Sequence, residues 1–199
     1  MRSTFTPTDA ERLFESIGRP WWIAGGWAID LWLGRRSREP EDLDVAILRR
    51  DLPVFRTRLE GWDLHLAHDD GLAVLAVDDD VAPPAHAVWC RPDPGAPWAF
   101  ELLLNGSDGD DWVFRRDPSI RRSLVAISRT SDEGLPILAP EIVLLFKAKQ
   151  HRPRDEGDFR ETVPTMSGEQ SGWLRASLER CHPGHPWLRV LATGAEALP

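Results

Sequence analysis

The chain contains the segment Gly25-Gly26-Trp27-Ala28-Ile29-Asp30, which Asp42-Leu43-Asp44-Val45-Ala46-Ile47 follows at a short distance. The glycine pair comes after an apolar run, residues 21–24, which predicts a buried strand. It opens a helical pattern that Gly34 closes. Because glycine has no Cβ, a phosphate can approach the backbone N–H groups, and the helix N-terminus adds partial positive charge. We therefore expect this turn to bind phosphate.

Two aspartates begin the next apolar run, residues 42–48, which is predicted to be a strand. Side chains alternate between the two faces of a strand, so Asp42 and Asp44 point the same way and Leu43 points to the core. Carboxylates about 7 Å apart along a strand can bind a hard cation such as Mg²⁺, and without one their repulsion costs stability. A solvated strand start has the same pattern, but the glycine turn upstream favours a joint phosphate and metal site.

Three further side chains are candidates for the same site. Glu101 is an acid in an apolar strand, residues 98–104, so its burial needs a partner such as a metal ion; the alternative is an edge position facing solvent. Glu101 could also accept the proton of an attacking hydroxyl. Arg38, in a basic loop with two other arginines, could neutralise triphosphate charge or belong to a solvated basic turn instead. Lys147, on a helix predicted to begin at Pro140, could reach a phosphate or be solvated instead.

Composition narrows the functional class. The 199-residue chain has a formal net charge of -8, which disfavours nucleic-acid binding and is compatible with a cationic small substrate. No apolar run approaches the roughly 20 residues of a membrane span, and residues 1–7 lack the apolar region of a signal peptide. Cys90 and Cys181 are far apart in sequence, as expected for two reduced thiols in a cytoplasmic protein.

The pattern of elements divides the chain into two segments. Short strands separated by turns rich in Asp, Pro and Gly continue to about residue 138, with weaker strands predicted at residues 112–114 and 124–128. From residue 139 the pattern is helical. We expect a catalytic sheet domain, residues 1–138, and a C-terminal helical segment, residues 139–199, that packs against it.

The two opening motifs resemble those of a known superfamily. Gly25-Gly26-Trp27-Ala28-Ile29-Asp30 followed by Asp42-Leu43-Asp44 is similar to the nucleotidyltransferases typified by DNA polymerase β, and most similar to the aminoglycoside (2″-type) and lincosamide nucleotidyltransferases. Residues 140–147 and 152–158 look like the family's helical P-E-x-x-L-x-x-K and R-x-K-D-x-x-D segments, with Arg154 where lysine is more common. The resemblance covers residues 17–159 and implies an α+β fold with a mixed, largely antiparallel sheet flanked by helices.

The resemblance also implies a reaction. Asp42 and Asp44 would hold two Mg²⁺ ions about 3.5–4 Å apart, and Glu101 would complete one metal site and accept the hydroxyl proton. The turn at Gly25 and Gly26 would grip the β- and γ-phosphates of an NTP, expected to be ATP. A nucleoside monophosphate would pass to a hydroxyl of a small molecule, such as an aminoglycoside- or lincosamide-like antibiotic, and pyrophosphate would leave.

Two alternatives remain open at this point. A toxin–antitoxin-type nucleotidyltransferase would use the same chemistry on a protein side chain or a tRNA end, although the acidic balance disfavours the tRNA target. A non-catalytic nucleotide-binding module would keep the fold without the reaction. The presence of Gly25, Gly26, Asp42 and Asp44 together argues against this second alternative.

Overall fold

The structure, a computed structural model, describes residues 5–37, 42–76 and 78–193. The strands are β1 Trp21–Ile23, β2 Asp44–Leu48, β3 Asp63–His68, β4 Gly71–Val74, β5 Ala87–Arg91, β6 Phe100–Asp108, β7 Asp111–Val113, β8 Arg121–Ser123, β9 Ser128–Thr130 and β10 Pro136–Leu138. The α-helices are α1 Pro7–Phe14, α2 Gly25–Leu33, α3 Leu52–Arg58, α4 Leu124–Ile127, α5 Pro140–Lys147, α6 Pro153–Thr162, α7 Gly168–Cys181 and α8 Trp187–Thr193. Short 3₁₀ helices span Arg49–Asp51 and Val163–Thr165.

One mixed sheet organises the fold. Its strand order is β4-β3-β5-β6-β2-β1-β10-β9, and β7 and β8 extend it from β6. The pairs β2–β6 and β1–β10 are parallel, and every other strand pair within the described ranges is antiparallel. The predicted α+β fold with a mixed, largely antiparallel sheet is therefore confirmed.

Helices cover both faces of this sheet, because its central strands carry apolar side chains on both faces. On one face, the ring of Phe14 in α1 lies 5.2 Å from Phe55 in α3 and 5.7 Å from Phe100 in β6, measured between centroids. On the opposite face, Phe146 of α5 lies 5.2 Å from Phe114. Alternation along β6 sends Phe100 into the first layer and its neighbour Glu101 toward the second. The acid is thus on the face that α5 covers.

Local capping explains several helix boundaries, and it also accounts for one wrong prediction. Gly34, with a φ of 64°, ends α2 as expected. Residues 124–128 were predicted to be a strand, but Leu124–Ile127 forms the short helix α4. The hydroxyl of Ser123 accepts a hydrogen bond from the backbone N–H of Ala126 at 3.2 Å, which is an N-cap that starts a helix instead.

The C-terminal helices pack on the sheet through α5. The carboxylate of Glu141, fully buried in α5, lies 3.2 Å from Arg122 of β8 and accepts a 2.8 Å hydrogen bond from Gln170 of α7. This buried cluster connects the helical segment to the sheet extension. The division into residues 1–138 and 139–199 remains a prediction. No helix in the described part of the chain is long and apolar enough to cross a membrane.

Candidate active site

Two of the predicted carboxylates face each other across neighbouring strands. Asp44 begins β2, and its Cα partner in the parallel strand β6 is Glu101. Both side chains are half-buried, and Asp42 lies exposed two residues before Asp44. Adjacent strands are separated by about 4.8 Å, so this register brings Asp44 and Glu101 to the same point on one face of the sheet. The sequence indicated that both were site residues but contained no signal for this pairing.

Burial and mutual repulsion raise the pKa values of both carboxyls. Burial raises the pKa of Asp44 to about 6, and the charge of Asp42 adds to the increase. Burial also raises the pKa of Glu101 to about 8, with the charges of Asp44 and Asp42 contributing after it. Lys147, Arg152 and Arg154 oppose the shift at Asp44. This acidic centre therefore favours a cation, or protons in its place.

Gly25 allows Asp44 to lie directly against the start of α2. Its φ is 60°, a left-handed conformation that glycine adopts at little cost. A Cβ at this position would overlap the Oδ2 atom of Asp44 and would lie 2.9 Å from its Cγ. The missing side chain was predicted to make room for a phosphate. In the structure it first makes room for a carboxylate, which links the glycine turn to the aspartate pair sterically.

These residues line one cleft with a volume of about 330 Å³. Its walls include every predicted site residue that the structure describes, namely Gly25, Gly26, Asp42, Asp44, Glu101 and Lys147. Arg38 lies outside the described residues. The structure thus brings together residues that are up to 122 positions apart in sequence, from Gly25 to Lys147.

Lys147 lines the cleft but also has acidic partners. Its Nζ atom lies 2.7 Å from Oδ2 of Asp158 and 3.3 Å from Oδ1 of Asp155, both buried in α6. Arg152 pairs with the same Asp155, through Nε at 2.8 Å. The two aspartates therefore fix the lysine at the cleft wall. Its predicted role as a phosphate contact stays a prediction.

Asp30, the last residue of the glycine motif, has a local structural role. It lies in the second turn of α2, and its Oδ1 atom accepts hydrogen bonds from the backbone N–H of Ser37 at 2.9 Å and the Ser37 hydroxyl at 2.5 Å. No acidic side chain lies in the first turn of α2, so Asp30 does not complement the helix dipole there. Asp30 instead anchors the loop that leaves α2.

Several cleft residues were missed by the sequence reasoning. His86, Asn105, Arg115, Arg116 and Gln150 also line the cleft. The signal available for two of them was the arginine pair after the weakly predicted strand at residues 112–114. Recognising it required knowledge that β7 pairs with β6, which brings this pair to the strand that carries Glu101.

The donor set fits a hard divalent cation. Oxygen atoms of Asp and Glu are the ligands that Mg²⁺ prefers, and the raised pKa values show that the side chains present do not balance the acidic charge. Within residues 5–37, 42–76 and 78–193, no three His, Cys, Asp or Glu side chains already form a group that could hold a metal. Mg²⁺ in proteins is usually bound by one or two carboxylates and completes its coordination with waters and substrate phosphates.

Comparisons with known proteins agree with this arrangement. The family model described as Aminoglycoside-2''-adenylyltransferase matches residues 8–71, which include the glycine turn and both aspartates. No curated protein sequence matches the chain significantly.

Solved structures share the fold over most of the chain. The lincomycin-bound lincosamide antibiotic adenylyltransferase LnuA matches 81% of this chain and 97% of its own, with a TM-score of 0.55 and 16% identity. ANT(2'')-Ia in complex with adenylyl-2''-tobramycin matches 85% of this chain and 92% of its own, with a TM-score of 0.54 and 15% identity. The solution structure of ANT(2'')-Ia gives a TM-score of 0.53 at 17% identity, over 87% and 93% of the two chains.

At these identities the structural matches establish the fold, while the family match includes the motifs themselves. The resemblance found in residues 25–30 and 42–44 is confirmed. Residues 8–71 of the chain are similar to the aminoglycoside-2''-adenylyltransferases, and the chain shares the fold of solved antibiotic adenylyltransferases.

Proposed function

We propose that this enzyme transfers a nucleoside monophosphate from an NTP, with ATP as the first candidate, to a hydroxyl group of a small molecule. The observation that carries the proposal is the position of Asp44, opposite Glu101 and against the Gly25 turn, in a single cleft. A cleft of about 330 Å³ is of the size that takes small-molecule ligands. Three kinds of group needed for nucleotidyl transfer meet there: acids, backbone donors and cationic side chains.

Asp42, Asp44 and Glu101 are the proposed metal ligands. Bound there, Mg²⁺ would neutralise phosphate charge and orient the α-phosphate; two ions are proposed, as is common for phosphoryl and nucleotidyl transfer. The support within this chain is the like-charge cluster, in which burial and mutual repulsion raise the pKa values of Asp44 and Glu101, so that a bound cation would stabilise their charged forms.

The triphosphate is proposed to lie along the start of α2. Backbone N–H groups at the first turn of this nine-residue helix would donate to the β- and γ-phosphates. Lys147, Arg152 and Arg154 line the same cleft and are near enough to lower the pKa of Asp44, so they would add positive charge there. Arg38 remains a proposed nucleotide contact outside the described residues.

Glu101 is also the proposed proton acceptor. The acceptor's hydroxyl oxygen would attack the α-phosphorus as its proton passes to the Glu101 carboxylate. The bond from that phosphorus to the bridging oxygen then breaks, and pyrophosphate leaves. The half-buried position of Glu101 beside Asp44 would place its carboxylate next to both the metal and the attacking hydroxyl.

The acceptor class is proposed from the structural neighbours. LnuA has been solved with lincomycin bound, and ANT(2'')-Ia with adenylyl-2''-tobramycin. An aminoglycoside- or lincosamide-like compound with a free hydroxyl is therefore the starting candidate for this chain.

A pyrophosphate-release screen tests the proposal. The purified protein is incubated with Mg²⁺, each of the four NTPs, and a panel of aminoglycosides, lincosamides and unrelated alcohols. We expect at least one acceptor to stimulate release, and the Asp42→Asn, Asp44→Asn double variant to abolish it. Stimulated release that persists in the double variant would refute the assignment of the metal site.

A further inference from the structure

The cleft has a second end that the proposed reaction does not use. We call it the arginine end and define it as His86, Arg115 and Arg116, which line the cleft together. The carbonyl of His86 accepts a 2.8 Å hydrogen bond from the backbone N–H of Leu104, three residues after Glu101 on β6. At about 3.3 Å per residue, this level of the strand is roughly 10 Å from the Cα atom of Glu101.

The pairing of β7 with β6 brings Arg115 and Arg116 to the same level of β6 as His86. Val113, at the end of β7, pairs with Gly106 of β6, and the chain then continues through Phe114 to Arg115 and Arg116. The antiparallel direction carries these residues back along β6 toward Glu101. The arginine end therefore lies beyond the acidic centre, along the floor of the same cleft.

Arg116 is held rigidly in this position. Its guanidinium donates a 3.0 Å hydrogen bond to the carbonyl of Phe146 at the C-terminal part of α5. It also lies over two rings, 5.8 Å from the centroid of Phe114 and 5.4 Å from that of Phe146. Burial and then the charge of Arg115 lower the pKa of Arg116 to about 10. A fixed, partly desolvated cation of this kind creates a strong local positive potential.

Arg115 is free to bind a ligand. Across the ranges that the structure describes, it makes neither an ion pair nor a hydrogen bond, and its side chain is exposed at the cleft. Burial and the charge of Arg49 lower its pKa, and burial followed by Arg115 lowers the pKa of His86. His86 is therefore neutral near pH 7 and can donate or accept a hydrogen bond there.

Three other arginines in the C-terminal half of the chain do have acidic partners. Arg121, Arg122 and Arg180 each lie within 3.2 Å of a carboxylate, those of Asp108, Glu141 and Asp117 respectively. Neither Arg115 nor Arg116 has such a partner in the described parts of the chain. A bound anion would stabilise two adjacent cations of this kind.

We propose that the arginine end binds an anionic group of the acceptor, a phosphate or a carboxylate, while the acceptor's hydroxyl lies at Glu101. This inference rests on the proposed function, because that function assigns the triphosphate to the α2 end of the cleft. The acceptor is then a hydroxylated anion whose charged group lies on the order of 10 Å from the reacting oxygen. An aminoglycoside would place its ammonium groups against Arg115 and Arg116, so of the acceptors proposed above this inference disfavours the aminoglycosides, together with the cationic acceptor expected from the net charge.

Binding of inorganic phosphate to the nucleotide-loaded protein tests this inference. The protein is saturated with Mg²⁺ and α,β-methylene-ATP and titrated calorimetrically with phosphate at low ionic strength. We expect one phosphate site, weakened about tenfold or more by Arg115→Gln because a charge-assisted hydrogen bond is lost. Arg115→Lys should retain part of the affinity. Arg12→Gln, which removes an exposed arginine charge on α1, should change nothing.

Three results would overturn the inference. Phosphate could fail to bind, or bind equally to wild type and Arg115→Gln. It could also compete with α,β-methylene-ATP in an Arg115-dependent manner, which would assign the arginine end to the nucleotide. If the wild type does not bind the nucleotide analogue with Mg²⁺, the proposed function fails instead. The titration without nucleotide then still decides whether Arg115 binds an anion.

Discussion

Glu101 shows how much of the candidate site can be predicted from a single residue of the sequence. An acid within an apolar strand signalled a compensating partner, and the structure places two more acids beside it, Asp44 in register across β2–β6 and Asp42 nearby, which leaves that role to a cation. The register itself could not be predicted, since strand pairing depends on contacts across 57 positions between Asp44 and Glu101. Arg115 and Arg116 were missed for the same reason, because an arginine pair after a short strand looks like an ordinary solvated turn until its neighbours are known.

The raised pKa of Glu101 predicts a pH-dependent effect of Glu101→Gln on stability. The folded-state pKa, about 8, lies above the ordinary value of 4.5, so the folded state holds the proton more tightly than the unfolded state. That stabilisation is complete below about pH 4.5 and is lost as the pH rises through about 8. Glu101→Gln keeps a neutral side chain at every pH. In EDTA, we therefore expect the melting temperature of the variant to exceed that of the wild type by more at pH 8.5 than at pH 5.

The size of the chain sets the expected change in melting temperature. A difference of 1 kcal/mol corresponds to about 2–4 °C in a protein of this length. Glu133→Gln, at an exposed acid, should show no such pH dependence. Saturating Mg²⁺ should reduce the advantage of Glu101→Gln at pH 8.5, since the cation stabilises the charged form. An equal shift at pH 5 and pH 8.5 would contradict the position of Glu101 in an acidic centre.

At the scale of elements, the β1–α2 turn was the best predicted part of the chain. Its apolar strand, glycine pair and closing Gly34 correspond to β1, α2 and the helix C-cap. The close contact between Gly25 and Asp44 was not predicted, because the sequence does not show which side chain packs against the turn. Local signals failed only where elements are very short. The three-residue strands β8 and β10 have too few positions for an alternation pattern, and Ser123 turned a predicted strand into α4.

Two alanine substitutions separate backbone strain from displacement of Asp44. Gly25 and Gly34 have nearly equal positive φ values, 60° and 64°, at opposite ends of α2. A Cβ at Gly34 meets only Asp132 Oδ2 at 3.6 Å, an ordinary contact, whereas one at Gly25 overlaps the Asp44 carboxylate. Both variants should lose roughly 1–2 kcal/mol of stability from the left-handed backbone. Gly25→Ala alone should also abolish Mg²⁺-dependent nucleotide binding.

Thermal melts and calorimetry on both variants check this prediction. Retention of nucleotide binding by a folded Gly25→Ala protein would show that the close approach of Asp44 to the turn is not needed. Loss of binding in Gly34→Ala as well would attribute the effect to α2 as a whole.

At the scale of the whole molecule, the sheet and the helical segment act together to form the cleft. The sheet supplies Asp44 and Glu101, and α5 with the loop after it supplies Lys147 and Arg152. The composition and patterning of the sequence predicted two packed segments. They gave no sign of the buried polar contacts between them, because Glu141 has the sequence environment of a helix N-terminus, where an acid is ordinarily exposed.

The Glu141 cluster should carry much of the stability between these segments. Glu141→Ala leaves Arg122 with a side chain only 9% exposed and without its buried partner, although Glu169 still contacts it at the surface. Loss of one partner of a buried pair costs about 3–5 kcal/mol, whereas an exposed substitution such as Glu133→Ala changes stability by about 0.5 kcal/mol or less. Urea unfolding of both variants measures this difference. Equal losses would mean that the cluster does not hold the helices to the sheet.

Mg²⁺-dependent binding of α,β-methylene-ATP tests the central claim most directly, since it needs no knowledge of the acceptor. Calorimetry is run with wild type and the Asp42→Asn, Asp44→Asn double variant, each with Mg²⁺ and with EDTA. The metal and phosphate site described above predicts binding by the wild type with Mg²⁺, and at least about tenfold weaker binding when either the metal or the two carboxylates are removed. Binding of equal strength in all four titrations would contradict it.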